Sequence, residues 1–189
     1  SGNKPDLKTT RRWLVNWEDT AKLQYVRPFQ RVSSVQDAWS HVTGSGTLPG
    51  ENLRFEDVNC HTLVSLTSMA TSVILGSLIL SRPQRFLLLY TNGSEKDKDT
   101  VLHALNSLRK DHGDLFHDSM EICEPVLIPS DNLMTIQEAV SEQLEHVGHA
   151  PVGSQHIFQI TNGNFLMRLG AYNVIKRRTD FLAIYRDGD

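Results

Sequence analysis

Cysteine is scarce in this chain of 189 residues, which contains only Cys60 and Cys123. Their separation is unlike that of metal-binding pairs, and two cysteines cannot build a disulfide scaffold, so a reducing compartment is expected. Positive charge is not in excess either: 19 Lys and Arg stand against 22 Asp and Glu, a net charge of −3. Because binding to duplex nucleic acid needs a basic surface that displaces counterions, the composition excludes a general duplex-binding protein.

Long apolar runs are also missing. The longest, from Val73 to Leu80, is too short and too interrupted to cross a bilayer, and no secretory segment opens the chain. The sequence therefore predicts a soluble, cytoplasmic domain. Since Ser1-Gly2-Asn3 does not look like a natural start, we expect further chain upstream.

All three tryptophans lie within residues 4–57, a region that differs from the rest of the chain. Trp13 and Trp17 are one helical turn apart, which predicts a short amphipathic helix. No basic groove accompanies the tryptophans, and this favours anchors in a core or interface over a base-stacking platform. We interpret residues 1–57 as an N-terminal Trp-rich appendage that connects to the main domain.

Strand and helix patterns alternate through residues 58–189, the main domain. The predicted strands are Cys60–Leu66, Arg85–Tyr90, Met120–Ile128, His156–Ile160 and Phe181–Tyr185. The predicted helices are Thr67–Leu80, Glu95–Asp111, Asp131–Val147 and one that begins near Phe165. This alternation is typical of an α/β protein with right-handed crossovers and helices on both faces of a parallel sheet.

The predicted architecture is a Rossmann-like, doubly wound parallel sheet of about five strands in the order 3-2-1-4-5. In such a sheet, ligands bind outside the carboxyl ends of the strands, where the winding direction reverses. Here the reversal falls between the first and fourth strands, so residues 65–71 should face residues 161–168. Of these, Thr161, Asn162 and Gly163 precede a helix whose first N–H groups attract anions. A plain strand-to-helix turn in any α/β protein has a similar composition, so this pattern alone leaves both interpretations open.

The order and spacing of several short motifs resemble a known family. They are Leu63-Val64-Ser65 at the end of the first strand, the run from Arg85 to Thr91, the turn from Ile160 to Met167, Ala171-Tyr172, and the stretch from Ile184 to Asp187. Together they are similar to the CARF domain, the CRISPR-associated Rossmann-like sensor of cyclic oligoadenylates. The resemblance covers about residues 58 to 189.

The resemblance implies a homodimer in which two crevices form one pocket for cyclic tetra-adenylate or cyclic hexa-adenylate, with no further cofactor and no metal. Apolar residues on more than one side of the last helix, Phe165, Met167, Leu169 and Tyr172, are consistent with such an interface. The expected ligand-binding residues are Ser65, Leu66, Thr67, Ser68, Met69, Thr91, Asn92, Gly93, Thr161, Asn162, Gly163, Asn164, Phe165 and Arg168. A side chain at Gly163 is expected to occupy the space that a phosphate needs.

The turn after the fourth strand departs from the family branch that this chain most resembles. That branch has the turn Thr-Gly-Gly-Thr-Lys, whereas this chain has Asn162 for the first glycine and Phe165 for the lysine. Without that cation, ligand cleavage is not expected, although binding through backbone N–H groups survives.

Other charged residues have plainer interpretations. Arg168 either reaches a phosphate or lies solvated on the outer helix face, while Lys96 and Lys98 fit an ordinary charged helix start. His146 and His149 have a metal-compatible spacing but no third ligand in the sequence pattern.

Three hypotheses follow. The first is a sensor that signals to an effector upstream, such as a transmembrane helix that tethers the protein to the inner membrane. The second is a ring nuclease that opens the cyclic messenger, and the third is an unrelated Rossmann-like domain that binds a mononucleotide or a protein.

Overall fold

The computed structural model of this protein describes residues 58–67 and 71–184. The predicted appendage, residues 1–57, lies outside the described residues, as does the turn from Ser68 to Ala70. Within the described ranges, no helix is both long enough and apolar enough to cross a membrane.

Strands and helices alternate along the described chain as the sequence predicts. The strands are β1 (Cys60–Leu66), β2 (Arg85–Tyr90), β3 (Glu121–Ile122), β4 (Val126–Leu127), β5 (Gln155–Gln159) and β6 (Phe181–Ile184). The helices are α1 (Thr71–Ser81), α2 (Glu95–Asp111), α3 (Leu133–Val147) and α4 (Phe165–Ile175), with short 3₁₀ turns at Asn92–Ser94 and Gly113–Leu115. The bounds of α2 equal the predicted ones, and α3 begins two residues later than predicted because Asn132 caps it through the N–H groups of Met134 and Thr135.

All pairings in the six-stranded sheet are parallel, and the strand order is β3-β2-β1-β5-β6, with β4 also paired to β2. The predicted order 3-2-1-4-5 is confirmed, with one difference in detail. The third predicted strand, Met120–Ile128, is two short strands on the same neighbour: β3 pairs with Arg85 and Phe86, and β4 pairs with Leu89 and Tyr90. Pro125 lies between them and has no N–H to donate, so the ladder is interrupted there.

Two hydrophobic layers cover the two faces of the sheet. Side chains alternate along β1, so Leu63 packs in one layer and Val64 in the other. The first layer takes its helical residues from α1 and α2, and the second takes them from α3 and α4. This burial of the central strands on both sides explains why β2 reads as a continuous apolar run in the sequence.

A charged cluster lies at the amino-terminal edge of the sheet, around Asp180 just before β6. Both carboxylate oxygens of Asp180 accept hydrogen bonds from Arg178, at 2.8 and 2.7 Å, and Oδ2 also accepts one from the Ala150 N–H. Arg178 in turn donates to the Gly148 carbonyl at 2.7 Å, which satisfies an acceptor at the end of α3. These bonds hold the pKa of Asp180 well below its usual range and tie α3 to β6.

His156 lies next to this cluster, fully buried at the start of β5. Its ring packs on Phe181 and meets His61 edge-on, with centroid distances of 4.7 and 5.4 Å. Burial lowers the pKa of His156 from 6.5 to about 4, although Asp180 acts in the opposite direction. The imidazole is therefore neutral in the folded protein at neutral pH.

This burial predicts acid sensitivity. Because the folded-state pKa of His156 is depressed, the unfolded chain binds more protons between pH 6.5 and 4, and stability is lost as the pH falls through that window. The loss should reach roughly 3 kcal/mol at most, measured by urea unfolding at several pH values. His156→Leu should flatten the pH dependence, whereas His103→Leu, at an exposed position on α2, should retain it. An unchanged slope in the His156 variant would contradict this account.

Candidate functional site

The turns that follow β1 and β5 meet at the carboxyl-terminal edge of the sheet. The two strands are paired and parallel, with Ser65 opposite Gln159, so the turns that follow them begin side by side. The turn after β5 packs against the end of β1, since a Cβ at Gly163 would lie 3.2 Å from Leu66 Cδ1. We call the space above these two strand ends the strand-end crevice. It lies at the predicted reversal of winding, since β1 leads to one helical layer and β5 to the other.

The turn after β5 positions the amino terminus of α4. Gly163 has φ +86°, in the left-handed region that favours glycine. Asn164 then caps α4, with its Oδ1 accepting the Met167 N–H at 2.9 Å, and its Nδ2 donates to the Ser130 carbonyl at 2.9 Å. The first turn of α4 has no acidic side chain, so the partial positive charge of the helix terminus is not neutralised from within.

Two polar groups at the crevice are buried and have no hydrogen-bond partner among the described residues. Asn162 is 3% exposed and Thr67 is 2% exposed. Neither Asn162 Nδ2 nor Thr67 Oγ1 has a hydrogen-bond partner within the described part of the chain. A buried unsatisfied donor costs about 1–3 kcal/mol, so these groups lower the stability of the domain unless something else bonds to them. Both flank the mouth of the crevice, one on each turn.

Several of the predicted ligand-binding residues have structural roles. Ser65 is fully buried and its hydroxyl donates to the Leu66 carbonyl at 3.1 Å, while the Leu66 side chain lies in the core. The side chain of Asn164 is occupied by capping, as described above. The Thr91 hydroxyl lies 3.1 Å from that of Ser94, which also accepts the Thr91 N–H. The side chains of Ser65, Thr91 and Asn164 therefore hold the ends of strands and turns through hydrogen bonds within the chain.

The other predicted residues are placed as follows. Thr161 is partly buried and its N–H donates to Gln159 Oε1 at 3.1 Å. Asn92 and Gly93 are exposed on the turn after β2, and Arg168 is partly buried one turn into α4. Ser68 and Met69 lie outside the described residues. The turn after β2 is separated from the turn after β5 by β1, so the predicted residues fall into a central group and a flanking one.

Exposed apolar side chains also gather at this edge. Phe165 is 67% exposed at the start of α4, Met134 is 63% exposed at the start of α3, and Leu127 is 49% exposed at the end of β4. Met167, which the sequence pattern also offered for an interface, is instead 3% exposed and packs in the core. The most exposed apolar residues at this edge therefore lie at the starts of α3 and α4 and at the end of β4, and not along the length of α4.

The sequence pattern assigns Lys98 to an ordinary charged helix start and gives Tyr90 no role beyond its strand. The Lys98 side chain folds back from α2 over the ring of Tyr90, with Nζ 4.8 Å from the ring centroid. The sequence shows an aromatic residue and a lysine eight positions apart, and only the turn of chain between them brings the two together. No local pattern would have singled them out.

No protein-family model matches the sequence, and no curated protein matches it either. Among solved structures, the chain is similar to Can2 from Sulfobacillus thermosulfidooxidans, determined in complex with cyclic tetra-adenylate. The sequence identity is 24%, the TM-score is 0.51, and the alignment covers 67% of this chain. The domain has a CARF-like fold. The match spans 32% of the Can2 chain, so most of that protein has no counterpart here.

The packing around Gly163 adds a second effect of a side chain at this position. A Cβ there would lie 3.2 Å from Leu66 Cδ1 and 3.3 Å from Met167 Cβ. A substitution at Gly163 should therefore displace the turn and the start of α4, in addition to the effect expected on the space for a phosphate.

Gly153 provides a matched control for this packing. It has φ +80° but nothing within 4 Å of its Cβ position, at the opposite edge of the sheet. Both Gly163→Ala and Gly153→Ala should lose stability through the left-handed φ, but only Gly163→Ala also overpacks the core, which costs a further 1–3 kcal/mol or so. Urea unfolding of the two variants measures the difference. Equal losses would show that the turn relaxes without strain.

Proposed function

We propose that this CARF-like domain is a sensor that binds a cyclic oligoadenylate in the strand-end crevice. The observation that carries the proposal is a pair of buried polar groups that have no hydrogen-bond partner among the described residues, Asn162 Nδ2 and Thr67 Oγ1, near the amino terminus of α4. Its support from outside the chain is that Can2, which has a similar fold, was determined with cyclic tetra-adenylate.

The chemistry of the crevice suits a phosphodiester. The N–H groups at the start of α4 and the helix dipole favour an anion at this point. Asn162 Nδ2 adds a neutral donor, and the Thr67 hydroxyl can donate to a phosphate oxygen or accept from a ribose hydroxyl. A ligand that bonds to both groups removes the desolvation cost that they carry in the free protein.

Ligand symmetry favours two copies of the domain. Cyclic tetra-adenylate and cyclic hexa-adenylate both have two-fold symmetry, which matches an isologous dimer with the ring on its axis. Phe165, Met134 and Leu127 provide exposed apolar contacts at the edge where the crevices would meet. We propose cyclic tetra-adenylate as the ligand, one ring per two chains, and cyclic hexa-adenylate is the comparison in every binding experiment.

A signal from ligand binding at the crevice would have to reach the amino-terminal edge of the sheet, where residues 1–57 join the domain. Residues 1–57 join the domain at Val58 and Asn59, just before β1, and Asn59 contacts the Gly153 carbonyl at the amino-terminal edge. β1 has seven residues, so roughly 23 Å separates the crevice from this junction. An upstream effector, including a membrane-tethered one, would be reached through this junction, and sequencing the gene upstream of Lys4 tests that arrangement.

A substitution at Asn162 should change the affinity for the ligand without lowering the folding stability. Asn162→Leu removes a buried donor without a described partner, so folding stability should stay equal or rise while affinity for cyclic tetra-adenylate falls about tenfold or more. Isothermal titration calorimetry measures the affinity and the ratio of rings to chains, and urea unfolding measures the stability.

Asn164→Ala is the matched control. It removes a capping amide two residues away and should cost about 1 kcal/mol of stability. Its effect on affinity should be smaller than that of Asn162→Leu, since the Asn164 side chain is committed to the Met167 N–H and the Ser130 carbonyl. An Asn162→Leu protein that binds the ring as tightly as wild type would overturn the crevice model.

We expect the bound ring to remain intact. Cleavage by a neighbouring ribose hydroxyl needs an aligned nucleophile and charge stabilisation at the reacting phosphate. The turn after β5 contributes only neutral side chains before Phe165, namely those of Thr161, Asn162 and Asn164. With protein in excess over labelled cyclic tetra-adenylate, most of the ring should be uncut after an hour, as in a sample without protein. Rapid conversion to linear fragments would favour the ring-nuclease hypothesis instead.

A further inference from the structure

Lys98 is held in an unusual position for a lysine at a helix start. Its side chain is only 22% exposed, whereas Lys96, two residues earlier on α2, is an exposed residue. The Lys98 ammonium lies 4.8 Å from the centroid of the Tyr90 ring and 3.1 Å from Asp99 Oδ1. The ring quadrupole and the neighbouring carboxylate both favour the charged amine, and the hydrogen bond to Asp99 raises the pKa of Lys98.

The contact with Tyr90 places this ammonium near the carboxyl-terminal end of β2, the strand next to β1. Tyr90 ends β2, and the adjacent β1 continues past its last residue with the Thr67 N–H donating to the Leu89 carbonyl at 2.9 Å. Leu63 and Leu88 lie in the core layer of α1 and α2, so strand alternation turns Thr67 and Tyr90 to that same side. The ring and the unpartnered Thr67 hydroxyl are thus neighbours on adjacent strands.

The turn after β5 is in register with the end of β1. Ser65 pairs with Gln159, and Thr67 and Thr161 each follow two residues later. With a strand spacing of roughly 4.8 Å, the backbone at Tyr90 lies about 10 Å from that at Thr161. Successive phosphates of a cyclic oligonucleotide are separated by several ångströms, so a ring bound at Asn162 is large enough to place another phosphate near the end of β2.

We propose that Lys98 is a phosphate-binding residue of this crevice and that the Tyr90 ring positions it. The inference rests on the proposed function and adds a cation to a site whose other donors are neutral. The ammonium would exchange its contact with Asp99, whose side chain is 71% exposed, for a ligand phosphate. Exposed ion pairs contribute little, so giving up this one costs little.

Substituting the two lysines of α2 in parallel tests the role of Lys98. Lys98→Gln should weaken binding of cyclic tetra-adenylate about tenfold, because a charge-assisted hydrogen bond is lost. It should also reduce the slope of log affinity against log salt by about 0.7, the value for one phosphate contact to a single strand. Lys96→Gln removes the same charge from the same helix and should change neither quantity by a comparable amount.

Tyr90 variants test positioning. Tyr90→Phe keeps the aromatic face and should bind like wild type, whereas Tyr90→Leu removes the ring and should weaken binding about two- to fivefold. In Tyr90→Leu the salt slope should remain close to the wild-type value, because the ammonium is still present. Equal losses in Tyr90→Phe and Tyr90→Leu would assign the effect to the phenol hydroxyl and overturn the positioning role.

The outcomes distinguish this inference from the proposed function. Wild-type protein that binds the ring while Lys98→Gln behaves like Lys96→Gln retains the proposed function and overturns the role of Lys98. Wild-type protein that binds neither cyclic tetra-adenylate nor cyclic hexa-adenylate overturns both. Thermal unfolding of each variant ensures that a loss of affinity is compared between folded proteins.

Discussion

Parallel pairing between β1 and β5 is the contact on which the other features of this domain depend. It places the first and fourth βα turns side by side, although nearly a hundred residues separate them in the sequence. The chain continues from β1 to the helices of one face and from β5 to those of the other, and open α/β sheets bind ligands at such a reversal. The position of the crevice is a consequence of this topology.

Both edges of the sheet contain buried polar atoms that have no hydrogen-bond partner among the described residues, namely the ring nitrogens of His156 at one edge and Asn162 Nδ2 and Thr67 Oγ1 at the other. At the amino-terminal edge, Asp180 receives hydrogen bonds from Arg178 and Ala150, and Arg178 also satisfies Gly148 at the end of α3. These hydrogen bonds stabilise the fold, whereas the buried groups of Asn162 and Thr67 cost stability and are expected of a surface that binds polar ligands.

Attraction of an anionic ligand to the crevice depends on individual groups near it and not on the net charge of the chain. The chain as a whole has a net charge of −3, so long-range attraction of an anionic ligand is weak. Affinity for a phosphodiester would have to come from the start of α4, from neutral donors on the turns and from single cations held in place. The Lys98 ammonium, which lies over the Tyr90 ring, is the cation that we propose for this contact.

The sequence by itself determined the fold of the main domain. Apolar runs such as Arg85–Tyr90, helical periodicity and glycine or asparagine at the element ends are local signals, and the right-handed crossover rule orders the strands that they predict. The position of the crevice followed from that order. The split of the third strand at Pro125 was a local signal too, since proline cannot donate to the ladder.

Only the tertiary structure decided what each side chain at the crevice does. Ser65, Asn162 and Asn164 are all small polar residues on predicted turns, yet one is buried in a backbone hydrogen bond, one lacks a described partner and one caps α4. Their roles depend on strand register and on contacts such as Asn164 with Ser130, which are distant in sequence. The same reason placed Met167 in the core and Lys98 over Tyr90, because packing between elements, and not residue type, fixes where a side chain lies.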